Sequence, residues 1–277
     1  MRRSNSLTQL AKAEAFRSLH DGKGAFVIPN PWDLGTARLL EHLGFKALAS
    51  TSLGLACSHG LRDNSVPIDI VFEHLTEMAE GTNLPITADL GNGFGDSPHA
   101  VGRAILLAAE TGVVGGSIED STGRGDEPVY PIDLASERIR AAAAAAGSLS
   151  FPFTLTARAE NYVVGRTNLA DTIARLQAYQ EAGADVLYAP GLRDAKEVAE
   201  VVRSLDRPVN VLLGSEGVSL SVKDLDLLGV KRISVGGSLA KAAIGEFLRA
   251  ATELRDQGTT TYQLRAATSE QIREFFG

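Results

Sequence analysis

The stretch QEAGADVLYA, residues 180–189, holds a complete structural junction in ten residues. A helix-compatible run stops at Gly183, and an apolar run, Val186-Leu187-Tyr188-Ala189, follows almost at once. Glycine suits that place because it enters the left-handed conformation that ends a helix without a Cβ clash. The junction recurs in EHLGFKALAS (41–50), AETGVVGGSI (109–118) and LDLLGVKRIS (225–234), at Gly44, Gly112 and Gly229. A second type uses proline: NLPITADL, SFPFTLTAR and DRPVNVLLG enter their apolar runs through Pro85, Pro152 and Pro208. Proline is tolerated there because its missing N–H is not yet needed by a sheet.

With the opening apolar run, these junctions predict eight short strands at 25–30, 47–51, 86–90, 114–119, 153–158, 186–190, 209–214 and 232–237. The runs read as largely continuous rather than alternating, as expected of strands covered on both faces. Helical stretches lie between them. The one at 97–111 opens on a Ser97 cap and Pro98, and puts Val101, Ala104, Ile105 and Ala108 on one face. Eight strand–helix units in one domain, residues 1–277, predict an α/β fold of the (β/α)8 barrel type. A doubly wound open sheet is the alternative, because periodicity does not reveal closure. A leading helix is expected near 6–19 and a helical tail from about 257, where Ile272, Phe275 and Phe276 share a face.

Composition narrows the function classes. A chain of 277 residues with 44% hydrophobic residues can bury a large core. Its net charge of −7, with no basic block, argues against nucleic acid or an anionic membrane as partner. The lone Cys57 excludes an internal disulfide framework and a cysteine zinc cluster. The start, MRRSNSLTQLAKAEAF, has no apolar run behind its arginines, and no segment approaches the ~18 apolar residues of a membrane span. A soluble, cytoplasmic protein is expected.

In a barrel of this kind the active site forms at the C-terminal ends of the strands. The candidates there are Thr51 and Ser52 after strand 2, Asp63 in the loop beyond, Asp89 after strand 3, Glu119-Asp120 after strand 4, Arg158 after strand 5 and Tyr188 in strand 6. Carboxylates without Cys or His beside them favour a hard cation such as Mg²⁺ over zinc. The planar fork of Arg158 suits a carboxylate or an enolate oxygen. A Schiff-base lysine is not expected, since Lys12, Lys23, Lys46, Lys196, Lys223, Lys231 and Lys241 all fall away from the predicted strand ends. Structural roles compete for the same residues: Asp89 as a turn cap, Glu119-Asp120 as a solvated strand end, Arg158 in a buried ion pair, Thr51 and Ser52 satisfying loop backbone. The loop GNGFG (91–95) lacks both the third glycine of a dinucleotide fingerprint and a Walker lysine. Its glycines are read as room beside Asp89 rather than as a phosphate cradle.

Taken in order, ASTSLGLACSHGLRD, PITADLGNGFGD, GGSIEDSTG, LTARAENY and EAGADVLYAP resemble the isocitrate lyase/phosphoenolpyruvate mutase superfamily over roughly residues 20–255. The resemblance implies a barrel, often tetrameric with C-terminal helices swapped between subunits, that holds a 2-oxo acid or enolate on Mg²⁺, or on Mn²⁺ in its place. It further implies Asp89 as the metal anchor and Glu119 as support of its water shell. Thr51, Ser52 and Leu53 would be the loop that binds the substrate, with Asp63 near it and Arg158 steadying its charge. Three departures stand out: Gly91 where many relatives carry a second acid, no cysteine in the loop after strand 4, and Pro190 in place of a histidine. The expectation is a lyase that cleaves a C–C bond next to a 2-oxo acid, as in oxaloacetate decarboxylation or methylisocitrate cleavage. Asp63 and Tyr188 are the candidate proton-transfer groups. The alternatives are P–C chemistry of the phosphonopyruvate hydrolase or phosphoenolpyruvate mutase type, and a non-catalytic barrel that binds a 2-oxo acid. A homo-oligomer, dimer or tetramer, is expected.

Overall fold

The computed structural model describes residues 7–214 and 220–276; Ser6, the first residue of the expected leading helix, lies outside them. Eight parallel strands form the sheet: β1 (Phe26–Ile28), β2 (Leu48–Ala49), β3 (Ile86–Asp89), β4 (Gly115–Glu119), β5 (Thr154–Arg158), β6 (Val186–Tyr188), β7 (Val209–Leu212) and β8 (Arg232–Ser234). They pair in the order β1-β8-β7-β6-β5-β4-β3-β2. The remaining seam is bridged where the Ala49 N–H donates to the Pro29 carbonyl at 3.1 Å. Asn30 fastens it further: its side-chain amide donates to Ser50 O (3.0 Å), and its Oδ1 accepts the N–H groups of Val235 (3.0 Å) and Gly236 (2.8 Å). This is the (β/α)8 barrel, and the open-sheet alternative falls.

Helices α2 (Leu34–His42), α3 (Ser52–Ser58), α4 (Ile68–Gly81), α5 (Pro98–Glu110), α6 (Ile132–Gly147), α7 (Leu169–Glu181), α8 (Ala195–Arg203) and α9 (Val222–Leu227) alternate with the strands. Gly44, Gly112, Gly183 and Gly229 stand at φ 85, 94, 103 and 85°, so each junction glycine occupies the left-handed region its place requires. Ser97 Oγ accepts the Ala100 N–H at the start of α5, with Pro98 in the first turn. The main core lies between strands and helices. Outward residues such as Ile86, Ile118, Leu155, Leu187, Val211 and Ile233 pack there with Leu75, Ile105, Ile139 and Leu176.

The strand interiors differ from the expected apolar runs. Positions facing the barrel axis are largely polar and many of them pair with one another, although Thr87 Oγ1 and Arg232 Nη1 have no partner among the described residues. Arg232 on β8 reaches across to Thr156 Oγ1 on β5 (2.9 Å) and donates through Nε to Asn210 Oδ1 on β7 (2.9 Å), while Asn210 Nδ2 donates to Ser234 Oγ (3.0 Å). Such a hydrogen-bonded filling is tolerated because each polar atom that finds a partner avoids its desolvation penalty.

Helix α1 (Gln9–Asp21) seals the N-terminal end of the barrel, burying Ala13 and Phe16 against Ile28, Ala47 and Val114. Past the barrel, α10 (Ser238–Gln257) buries only Ala240, and a 3₁₀ turn (Thr261–Arg265) leads to α11 (Ser269–Phe276). Within the single chain α11 sits on α2, with the Phe275 ring 4.9 Å from that of His42. Among the described residues no helix is long and apolar enough to cross a membrane.

The plug also carries a titratable group. His20 Nδ1 lies 2.9 Å from the Phe16 carbonyl, which can only accept, so Nδ1 carries the proton; Nε2 has no partner among the described residues. Burial, then the charges of Arg232 and Lys231, push its pKa down to about 3, against the backbone bond to Phe16. The folded state therefore keeps His20 neutral, while the unfolded chain protonates it near the ordinary value of ~6.5. Its contribution is complete above that value and is lost as pH falls toward the folded pKa. Between pH 7.5 and 5, urea denaturation is expected to show the wild type losing about 2 kcal/mol more than His20→Gln. Parallel pH profiles would mean that the ring is charged in the fold.

Candidate active site

Strand register builds the site. Glu119 on β4 is the direct lateral partner of Arg158 on β5, which is in turn the partner of Tyr188 on β6. Arg158 is nearly enclosed and meets three carboxylates: Asp89 Oδ1 (3.1 Å), Glu119 Oε2 (3.2 Å) and Glu160 Oε1 (2.9 Å). Its guanidinium carbon lies 5.2 Å from the centre of the Tyr188 ring. Burial opposes its charge, but Glu160, Glu119 and Asp89 more than reverse this and raise its pKa well above the ordinary value. The acids respond in the other direction. Burial pushes Glu119 up to about 8; Arg158 pulls against this, while Glu160, Asp89 and Asp120 add to it. Glu160 is raised chiefly by burial as well. Three carboxylates around one arginine leave an excess of negative charge that a cation can offset.

Asp89 is tethered on both sides. Its N–H donates to Ser50 Oγ (2.8 Å), and its carboxylate accepts from the N–H groups of Ser52 and Gly91, each at 3.3 Å. Among the described residues no three His, Cys, Asp or Glu side chains are grouped to cage a metal. The arrangement fits a cation that rests on one or two carboxylates and keeps water, the habit of Mg²⁺, and Gly91 adds no further oxygen. Asp89 and Glu119, which share Arg158, could hold such a cation.

Thr51, Ser52 and Leu53 line the mouth, and the Thr51 hydroxyl is engaged as the cap of α3, accepting the Gly54 N–H at 3.3 Å. Asp63 reaches the cavity wall from an exposed loop, where its carboxylate accepts the following N–H of Asn64 (3.0 Å). Tyr188 is buried, and burial pushes its hydroxyl up to about 12, with Arg158 drawing the other way. It keeps its proton at any physiological pH. Asp120 does not join Glu119. It turns behind the strands, accepting from the Glu160 N–H (2.8 Å), Tyr179 Oη (2.6 Å) and Arg175 (3.1 Å).

Two residues carry more than their sequence positions suggest. Glu160, beyond the strand end, is the nearest acid to Arg158, and Lys241, read as remote, lines the mouth from the first turn of α10. The glycine loop also resolves. Arg138 donates to the carbonyls of Asn92, Gly95 and Asp96, so these loop oxygens face a cation. A phosphate cradle would need N–H groups turned inward instead.

The open space has two arms that share Ser50, Thr51, Ser52 and Asp89. An axial arm of about 370 Å³ descends past Arg158 and Tyr188 to Arg232. A lateral arm of about 300 Å³ passes Gly91 and lies beneath the short hairpin that follows β4, closed by pairing of Ser121 with Val129.

Comparison with known proteins adds the family. A solved structure from Burkholderia cenocepacia J2315, provisionally named a lyase/mutase, is 57% identical and covers 97% of both chains with a TM-score of 0.95. A second from the same organism, provisionally a phosphonomutase, is 31% identical over 91% of this chain and 100% of its own, with a TM-score of 0.82. The oxaloacetate decarboxylase of Rhodopseudomonas palustris (strain BisB18) is 25% identical over 97% of this chain and 93% of its own. The sequence profile of phosphoenolpyruvate phosphomutase matches residues 16–255, and the chain thus belongs to the phosphoenolpyruvate phosphomutase family of the isocitrate lyase/phosphoenolpyruvate mutase superfamily.

Proposed function

We propose that this protein is a Mg²⁺-dependent lyase that breaks the C–C bond next to a 2-oxo acid, with oxaloacetate decarboxylation as the type reaction. Lyase or mutase chemistry follows from its family; the choice of a C–C bond is the finer step. The observation that carries it is the clamp of Arg158 between Asp89, Glu119 and Glu160 at the barrel mouth. Mg²⁺, or Mn²⁺ in its place, would be held by Asp89 and Glu119 and supply Lewis-acid stabilisation of a developing oxyanion.

The remaining work falls to the chain. Arg158 exchanges part of its carboxylate partnership for the carboxylate or oxo oxygen of the substrate, and its fixed fork orients the acid. In oxaloacetate the C3–C4 bond breaks, CO₂ departs, and the electron pair enters the C2–C3 enolate of pyruvate, which then takes a proton at C3. Arg158 stabilises that enolate. Tyr188, which keeps its proton, holds the guanidinium over its ring, and Asp63 on the exposed loop is the candidate to exchange a proton with C3. Ser52 and Leu53 wall the substrate against α3.

The family profile and the phosphonomutase-like relative favour one other reading, P–C chemistry. Against it stand Pro190 at the mouth and the loop Ser121–Asp126 with neither lysine nor asparagine. A panel of oxaloacetate, methylisocitrate and phosphonopyruvate, each with and without Mg²⁺, separates the two. Turnover of phosphonopyruvate alone would overturn the lyase. Arg158→Lys is expected to lower kcat/KM by about 10²-fold, because an ammonium offers no planar fork. Asp89→Ala is expected to abolish both turnover and its metal dependence; survival of either would return the barrel to a binding role.

The same reading includes a homo-oligomer in the cytoplasm. Helix α10 leaves Phe247 71% and Leu248 57% exposed, a long apolar face for a lone chain to show water. Phe247→Asp is expected to elute as a smaller species than the wild type in size-exclusion chromatography, and an unchanged elution would count against contact through α10.

A further inference from the structure

The two arms of the mouth differ in charge. The axial arm contains Arg158, Arg232 and Lys241. Among the described residues the lateral arm has no lysine or arginine in its lining; its apolar walls are Leu55, Val66, Val71, Leu75, Leu90 and Phe94, beside the uncharged polar groups of Asn64, Asn92, Ser121 and Thr122. Asp89 and Glu119 flank the entrance. His74, the only base there, is kept neutral: burial, then Asp33 in opposition and His59 in support, leave its pKa at about 4. Beyond the cation that Asp89 and Glu119 would hold, a second carboxylate or a phosphonate in this arm would find no lysine or arginine among the described lining residues. An alkyl group would instead displace water from apolar walls.

Space agrees with charge. The arm holds about 300 Å³, roughly ten times the ~30 Å³ that a water occupies in the liquid. Gly91 keeps the passage from Asp89 open, since a Cβ placed there would have only Asn64 Oδ1, at 3.7 Å, within contact range. At the far side Phe94 leans on Phe72, ring centres 5.7 Å apart, so the wall is braced from behind. Ser50, Thr51, Ser52 and Asp89 wall both arms, so an acid held at those residues would lie at the border of the lateral arm.

We propose that the lateral arm is a specificity pocket for an uncharged, apolar substituent of several carbons, carried on the carbon next to the oxo group of the substrate. The inference rests on the 2-oxo acid reading above, and narrows it to alkyl-substituted acids rather than oxaloacetate itself.

Isothermal titration of the full-length protein, with Mg²⁺ present, against pyruvate, 2-oxobutanoate, 2-oxopentanoate and 2-oxohexanoate tests this without requiring turnover. Affinity is expected to rise about 4-fold for each added methylene. Val71→Phe, which fills the arm, is expected to flatten that gradient. Pyruvate bound normally with a flat or falling series would overturn the pocket and leave the 2-oxo acid reading intact. A gradient that persists in Val71→Phe would place the alkyl chain elsewhere and overturn it equally. Absence of binding by pyruvate itself would sink the site reading and the pocket together. Should Val71→Phe fail to fold, Val66→Phe in the same wall takes its place, with the same two outcomes.

Discussion

One buried guanidinium organises this barrel mouth. Arg158 is the shared partner of Asp89, Glu119 and Glu160, and each acid comes from a different strand end or the loop just beyond it. Removing any one acid leaves the others with more of the arginine; removing the arginine leaves three carboxylates desolvated and mutually repelling. That asymmetry makes register decisive. Glu119, Arg158 and Tyr188 lie in one lateral row, and slippage of β5 by one residue would turn Arg158 into the apolar layer beneath the helices. Leu155 and Ala157, fully buried against that layer, prevent the slip. The outer core therefore sets the electrostatics of the inner site.

A second network supports the clamp from behind. Asp120 lies next to Glu119 in sequence but faces the opposite way, where Tyr179, Arg175 and the Glu160 N–H surround it. By holding that N–H, Asp120 fixes where the carboxylate of Glu160 can reach, and so how Arg158 is shared. Burial raises the pKa of Asp120, and Tyr179, the Glu160 N–H and Arg175 draw it back. The acidic pair after β4 thus divides into an inward member that faces the site and an outward member that positions it, a consequence of the two-residue period of a strand.

The fold was legible because its signals are local. A left-handed glycine at a helix end and a proline at a strand start are decided by the backbone of a few residues, so the four glycines and three prolines located the starts of seven strands to within one residue. The site was legible as far as strand ends could be counted, which brought Asp89, Glu119, Arg158 and Tyr188 together. What eluded the sequence depends on distant parts of the chain. Arg232 sits in a run that reads as apolar, and its fitness for the interior comes from Thr156 and Asn210 on other strands. The acceptor character of the GNGFG loop comes from Arg138 on α6. Lys241 reaches the mouth only because β8 ends where α10 begins.

Gly91 ties local and distant terms together. Its φ of 52° is left-handed, a conformation that costs a side chain roughly 1–2 kcal/mol, so the backbone alone favours glycine. Its N–H is directed at Asp89, which needs that same backbone. A carboxylate grafted onto this turn would add a negative charge to a site already rich in it, and would stand at the entrance of the apolar arm. Charge, backbone and space thus push in one direction: the acids concentrate around Arg158, and the opposite wall is left free of charge. A mouth divided in this way distinguishes its ligands by which end is ionic. On the reading proposed above, an acid group would sit at Arg158 and an uncharged group would pass Gly91, whereas a substrate ionic at both ends would place its second charge in the axial arm, where Arg232 and Lys241 lie.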